Sequence, residues 1–327
     1  MRTAVTGATG FIGRHLLRAL RRRGWSAACL VRRKEAEAEL RDDGWDVVAG
    51  DLEDDDALRE LTARTDVVFH VAGLTAGSGR ELQRVNVAGS ERVGQAAHRA
   101  AAARIVYLSS LAVSGPSRRG QPLDAADRAA PVSAYGKSKA DGERAVMESG
   151  VPFTILRPPA VYGPFDKELL RVFRWALKGT APMIGDGEQQ LSLVYAADLG
   201  DAMVAAAERP STLNRTYHVA HPDVIAQREL IKAIAAALGR RVNLFPVPAP
   251  VARVVLELSG WASRLTGQRS LLSGDKAAEL LAPAWTCVSR EFERDARWSA
   301  ATALTPGLAA TAAWYRESGW LFARRVR

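Results

Sequence analysis

Through the first half of the chain, short apolar runs alternate with longer stretches whose apolar positions recur every three or four residues. The runs Thr3–Thr6, Ala27–Val31, Asp46–Ala49, Val67–Val71, Ile105–Ser109 and Phe153–Arg157 predict strands. They carry few charges, as strands covered on both faces do. The periodic stretches Ile12–Arg23, Asp54–Thr62, Glu81–Ala103 and Ala134–Glu148 predict helices. Strand and helix in repeated alternation predict an α/β fold with a doubly wound parallel sheet.

The pattern changes after Arg157. Pro158, Pro159, Gly163 and Pro164 mark an irregular segment. A helix is expected over Lys167–Lys178, a turn at Gly185-Asp186-Gly187, a strand over Leu191–Val194 and a helix over Asp198–Glu208. Thr216–Val219 reads as a strand, and Gln227–Leu238 as a helix stopped by Gly239. The tail from Pro246 holds two more helical stretches and five of the eight tryptophans, which reads as a smaller cap over the sheet. Tryptophans there line a pocket or fill a thin core, and filling is the commoner use.

Composition narrows the class. The 327 residues are 47% hydrophobic and 25% charged, which excludes a disordered chain. Two cysteines, Cys29 and Cys287, make neither a disulfide framework nor a zinc cluster, so a reducing, cytoplasmic setting is expected. The net charge of +9 comes partly from Arg21, Arg22 and Arg23 and from Arg324, Arg325 and Arg327. No nucleic-acid signature accompanies these runs, so solvated faces are the expectation and nucleic acid is not. The N-terminus shows no signal-peptide pattern, and no long uncharged apolar stretch predicts a membrane span. Val251–Leu258 with Trp261 could touch a membrane surface. A cap helix packed on its own domain is the favoured reading of that stretch.

The strongest local motif is Gly7-Ala8-Thr9-Gly10-Phe11-Ile12-Gly13, set between a strand and a helix. Glycine serves where backbone turns tightly and approaches a pyrophosphate, and the helix N-terminus then offers N–H groups to the anion. A dinucleotide is therefore expected here. Arg32, Arg33 and Lys34 follow the second strand, and no carboxylate appears before Glu35. Arginine suits a 2′-phosphate, so NADP is favoured and NAD remains possible. Asp51 follows the third strand. It either accepts from the adenine amino group or belongs to the caps of the next helix.

Tyr135 and Lys139 lie one helical turn apart and project from one face. Ser110 ends the fifth strand, where a doubly wound sheet forms its ligand crevice. These groups can converge on one substrate oxygen.

With these motifs in place, the chain resembles the extended short-chain dehydrogenase/reductase family, the epimerase/dehydratase group. The resemblance rests on Gly7/Gly10/Gly13, Asp51-Leu52, His70-Val71-Ala72-Gly73, Asn86, Ser109-Ser110, Tyr135/Lys139 and the run Arg157 to Pro164. It covers roughly residues 1 to 200, in family order. It implies a Rossmann-type dinucleotide domain of residues 1–160 and 190–222, and a mainly helical substrate cap of 161–189 and 223–327. It implies that Gly7, Thr9, Gly10, Phe11, Ile12, Gly13, Arg32, Arg33, Asp51, Leu52, Val71, Ala72, Gly73, Tyr135, Lys139, Pro158 and Val161 hold the cofactor. Tyr135 is implied as general acid or base, with the Lys139 ammonium and the oxidised nicotinamide lowering its pKa, and Lys139 also binding the nicotinamide ribose. Ser110 holds the substrate oxygen. It is preferred to Ser109 because it lies five residues before Gly115, as the family serine lies before its glycine. His70 and the pair His218 and His221 read as structural, and no metal is expected. A homodimer through Glu81–Ala103 and Ala134–Glu148 is expected by the same resemblance.

Substrate readings rest on Leu74, Ser110, Tyr162 and Leu191. Nucleotide-sugar members often carry arginine after a Gly-Asp-Gly turn, and Leu191 stands at that position here. Arg171 or Arg174 could substitute. Leu74, Phe165, Trp175, Met183, Leu191 and Val251–Leu258 point instead to an apolar pocket, as in the dihydroflavonol-reductase and 3β-hydroxysteroid-dehydrogenase branches. The leading expectation is an NADP-dependent oxidoreductase acting on a hydroxy or keto group of a sterol- or flavonoid-like molecule. The alternatives are a nucleotide-sugar epimerase or dehydratase, and a non-catalytic dinucleotide-binding scaffold or redox sensor, which would not need the intact Ser110, Tyr135 and Lys139.

Overall fold

The computed structural model describes residues 1–254 and 277–321. Arg324, Arg325, Arg327 and Trp261, and the part of Val251–Leu258 beyond Val254, lie outside the described residues.

The chain opens with β1 (Arg2–Thr6), α1 (Phe11–Arg22), β2 (Ser26–Val31), α2 (Lys34–Asp42), β3 (Asp46–Ala49), α3 (Asp55–Thr62) and β4 (Val67–His70). Next come α4 (Gly79–Leu82), a π-helical segment (Gln83–Ala88), α5 (Gly89–Arg99), β5 (Arg104–Leu108), α6 (Ala134–Glu148) and β6 (Phe153–Arg157). The chain continues with β7 (Ala160–Tyr162), α7 (Leu170–Leu177), β8 (Thr180–Ile184), β9 (Gln190–Tyr195), α8 (Ala196–Glu208) and β10 (Arg215–His218). It closes with β11 (Val224–Ala226), α9 (Gln227–Ala237), β12 (Asn243–Val247), α10 (Ala277–Leu280), β13 (Ala284–Trp285), α11 (Arg290–Ala296) and α12 (Leu304–Glu317).

Seven parallel strands form the main sheet in the order β10-β6-β5-β4-β1-β2-β3. The winding reverses between β1 and β4, which opens a crevice at their C-terminal ends. One face packs on α1 and α8 through Val5, Leu16, Leu20, Val106 and Met203. The other packs on α3, α5 and α6 through Leu58, Leu61, Val93, Ile105 and Val146. The cap has a separate core of Phe173, Leu230, Ile234, Leu308 and Tyr315. Cys29 and Cys287 are both free and buried. Among the described residues, no helix is long and apolar enough to cross a membrane.

The structure departs from the sequence expectations in three places. The stretch Glu81–Ala103 is not one helix. It is divided by the Gln83–Ala88 π segment, which turns Asn86 inward. A helix α2 follows the basic run and buries only Ala36 and Leu40. The segment after Arg157 is not wholly irregular, because β7 pairs with β9, and a two-stranded sheet joins β8 to β12. The Arg21–Arg23 run behaves as a solvated face: Arg22 meets Asp201 at 2.6 Å, Arg23 meets Glu208 at 3.3 Å, and Arg21 lies over Trp45.

Candidate active site

The glycine turn is fixed by contact as well as by flexibility. Gly7 has φ +77°, and a Cβ there would stand 2.6 Å from the Ala72 nitrogen. A Cβ on Gly13 would stand 2.1 Å from the Gly7 oxygen. Gly10 precedes α1 without a side-chain cap, and no acidic residue occupies the first helical turn. Helix geometry leaves the first N–H groups of α1 without intrahelical partners, so the turn fits an anion. A side chain at Gly7 or Gly13 would collide with the neighbouring backbone and distort this turn.

A cavity of about 1630 Å³ runs from this turn to the cap. Arg32, Arg33, Asp51 and Leu52 line one end, and Val71, Ala72, Gly73, Pro158 and Val161 line the middle. Ser110, Tyr135 and Lys139 line it next, followed by Leu74 and Leu191. A usual ligand pocket holds roughly 300–1,000 Å³, so this one has room for a dinucleotide and a second molecule. The structure thus gathers the glycine turn and the catalytic residues singled out from sequence, whereas Lys34, Met183 and Tyr162 do not line the cavity. Tyr162 is buried among cap residues, 5.4 Å ring to ring from Tyr195 and with its hydroxyl against Gly307, so it does not reach the cavity.

The two serines are separated by their partners. Ser109 donates to Glu143, and Glu143 receives Arg157 Nε at 2.8 Å and Nη2 at 2.6 Å. Arg157 also reaches Ser114 Oγ at 3.3 Å, and Ser114 Oγ lies 2.9 Å from His218 Nε2. Ser109 is therefore committed to a buried network. Ser110 instead accepts from the Ala112 nitrogen at 3.1 Å and acts to lower the pKa of the Tyr135 phenol.

Lys139 Nζ donates to the Leu108 carbonyl at 2.7 Å and stands 4.0 Å from the Tyr107 ring centre. Burial pushes its ammonium down to about 7, with Glu143 acting in the opposite direction. The lowering expected of Tyr135 is not what these surroundings give. Burial pushes its phenol up to about 12, against the opposing influence of Ser110. Asp54, not Asp51, caps α3 by accepting from Asp56 and Ala57. Asp51 accepts from the Glu53 nitrogen at 2.8 Å and faces the cavity. His70 is buried between Thr6 Oγ1 at 2.7 Å and Ser90 Oγ at 3.0 Å. Among the described residues, no group of three or more His, Cys, Asp or Glu residues is placed to hold a metal ion.

Three contributions go beyond the sequence reading, which named Asn86 and Trp175 without these contacts. Asn86 accepts from Leu74 N at 2.8 Å and donates to Leu74 O and Ser138 Oγ, both at 2.9 Å. It ties the loop after β4 to the helix carrying Tyr135 and Lys139. Its position between the fourth and fifth strands was visible among the family matches, but its buried inward turn was not. Arg14 follows the last glycine of the turn, lines the cavity and pairs with both carboxylate oxygens of Glu39. A cation directly after a phosphate-binding turn is its sequence signal. Third, Trp175, Trp285, Trp314 and Trp320 line the cavity, so the cap tryptophans do more than fill a core. Phe165 joins the two halves in a left-handed backbone conformation, φ +73°, its ring 4.5 Å from Trp314 and beneath Arg14 and Arg18. Of the two arginines proposed to replace Leu191, Arg171 lines the cavity, while Arg174 donates to the Trp320 carbonyl.

Residues 3–220 match the NAD dependent epimerase/dehydratase family. The chain is 34% identical to the ceramide reductase of Caulobacter vibrioides over 97% of its own length and 95% of that protein. It is 31% identical to the 4-hydroxy-2-methyl-3-oxo-4-farnesyl-3,4-dihydroquinoline-1-oxide ketoreductase of Stigmatella aurantiaca, over 79% of each chain. MoeE5 in complex with UDP-glucuronic acid and NAD superposes with a TM-score of 0.77 at 24% identity, covering 97% of this chain and 100% of that one. That last likeness speaks for the fold alone.

Proposed function

This chain belongs to the NAD-dependent epimerase/dehydratase family of oxidoreductases, and we propose that within it the protein reduces a ketone on a long-chain lipid with NADPH. The observation that carries this reading is the cavity beyond Ser110 and Tyr135. It is walled by Leu74, Val172, Trp175, Ile184, Leu191, Leu230, Ile231 and Val247. Such walls offer apolar area to a chain, and the cations beside them, Lys167 and Arg171, are the groups that the diphosphate of a nucleotide-sugar would need. The names of the Caulobacter and Stigmatella relatives, a ceramide reductase and a farnesyl-quinoline ketoreductase, fit the same chemistry and move the expected substrate from a rigid ring system to a chain-bearing one.

In this reading, Ser110 orients the carbonyl oxygen and Tyr135 donates a proton to it. A phenol held near 12 keeps its proton at neutral pH, which suits a proton donor. Lys139 serves the nicotinamide ribose. The bound dinucleotide supplies the hydride. The substrate test is NADPH consumption across 3-oxo lipids of increasing chain length, with UDP-glucose as the competing class. Each added methylene is expected to raise kcat/KM by up to about fourfold until the cavity is filled, from about 0.8 kcal/mol per buried CH₂. Faster turnover of the nucleotide-sugar than of every lipid ketone would overturn the reading.

The NADP preference rests on Arg32 and Arg33 lining the adenosine end, with no acid at the close of β2. A charge-assisted contact contributes about 1.5–3 kcal/mol. Arg32→Ala is therefore expected to weaken NADP binding by about 10- to 10²-fold and NAD binding little. Calorimetric titration giving tighter NAD than NADP in the unaltered protein would remove the claim.

A further inference from the structure

Two stretches of the cap share an unusual surface. Residues 169–185 contain α7 and β8, and residues 238–254 contain β12 and the helical residues 249–254. The β8–β12 pairing joins them, with Phe245 opposite Pro182 and Val247 opposite Ile184. The first stretch carries Arg171, Arg174 and Lys178, and the second carries Arg240, Arg241 and Arg253, all exposed. Neither stretch contains an aspartate or a glutamate.

Large apolar side chains stand out in the same two stretches: Trp175, Phe245, Val251 and Val254 are 40 to 54% exposed. Residues two apart on a strand share a face. Phe245, exposed, thus lies on the same face of β12 as Val247, which lines the cavity. Trp175 is both exposed and part of the cavity lining, and Ala252 lines the cavity beside exposed Val251. The apolar interior therefore runs out onto an apolar surface bordered by cations.

We propose that this face docks the protein on an anionic phospholipid bilayer, with the cavity mouth against the lipid. Apolar side chains among basic groups that form no ion pair among the described residues are what an anionic interface attracts and takes up. The same charge disfavours a second copy as the occupant, because a two-fold interface through this face would set cations against cations. The docking is read without turnover and so stands apart from the substrate assignment. Only its benefit, direct delivery of a lipid ketone into the cavity, rests on that assignment.

The test is co-sedimentation of the full chain with vesicles of mixed phosphatidylcholine and phosphatidylglycerol, set against pure phosphatidylcholine. Binding is expected to the mixed vesicles only, and to weaken with added salt. Arg240→Glu with Arg241→Glu, and separately Phe245→Ser with Val254→Ser, should each lower the partition by at least about tenfold. None of these residues lines the cavity, so turnover of a short, soluble ketone should stay unchanged. No sedimentation with either vesicle, or equal binding of wild type and variants, overturns the proposal. So does a dimer that becomes a monomer on Phe245→Ser with Val254→Ser, which assigns the face to a second copy. Vesicle binding without reduction of any lipid ketone would sink the substrate reading and leave the docking intact. Reduction of a lipid ketone in detergent without vesicle binding would do the reverse.

Discussion

Tyr135→Phe is expected to lower turnover of any accepted ketone by about 10²- to 10⁴-fold, the usual contribution of a positioned general acid. NADPH affinity should change little, because the glycine turn and Arg32 are untouched. Ser110 lines the cavity with Tyr135, and Ser109 is held by Glu143. Ser110→Ala should therefore impair turnover more than Ser109→Ala, whose effect falls on stability. The direction of the pH effect follows from the raised phenol. Reduction uses the protonated phenol, whose loss should lower the rate only as pH rises toward about 12, while the Lys139 ammonium, pushed down to about 7, is lost through the neutral range. Oxidation of the alcohol uses the phenolate and should gain about tenfold per pH unit below that value. Stopped-flow turnover of the variants and a pH profile in both directions check these points. Near-wild-type turnover by Tyr135→Phe would end the assignment.

Arg157→Ala is expected to destabilise the fold by about 3–5 kcal/mol. Glu143 and Arg157 have side chains only 4% and 10% exposed, so removing the guanidinium strands a carboxylate away from water. The pair links the end of β6 to α6, and Glu143 sits one helical turn beyond Lys139. The cation thus holds the register of the helix that presents Tyr135 and Lys139. Replacing both partners, Glu143→Met with Arg157→Met, should recover much of the loss, since an apolar pair leaves no unmatched charge. Urea denaturation measures both. A loss below about 1 kcal/mol for Arg157→Ala would show that the charge finds water or another partner.

The sheet was legible because its strands are buried on both faces and its helices are amphipathic. β6 and α6 were read to the residue, as Phe153–Arg157 and Ala134–Glu148. The helix α2 left a faint trace, since only Ala36 and Leu40 point inward among charged neighbours. β8 and β12 were hidden by Pro182 and Pro246, which a central strand excludes and a two-stranded sheet tolerates. The site divides the same way. Glycine turn, Tyr135 and Lys139 are local patterns. The Ser109–Glu143–Arg157 network and the lining tryptophans join residues far apart in sequence, so only tertiary packing reveals them.

The burial of the two cysteines carries a chemical consequence. Burial pushes both Cys29 and Cys287 up to about 12, so very little thiolate exists at neutral pH. Alkylating and oxidising reagents act on thiolate, and they should pass this protein by. Thiol oxidation would then leave its activity unchanged. A cysteine placed at exposed Phe245 would be the single fast-reacting thiol in the chain, a ready attachment point for a polarity-sensitive dye.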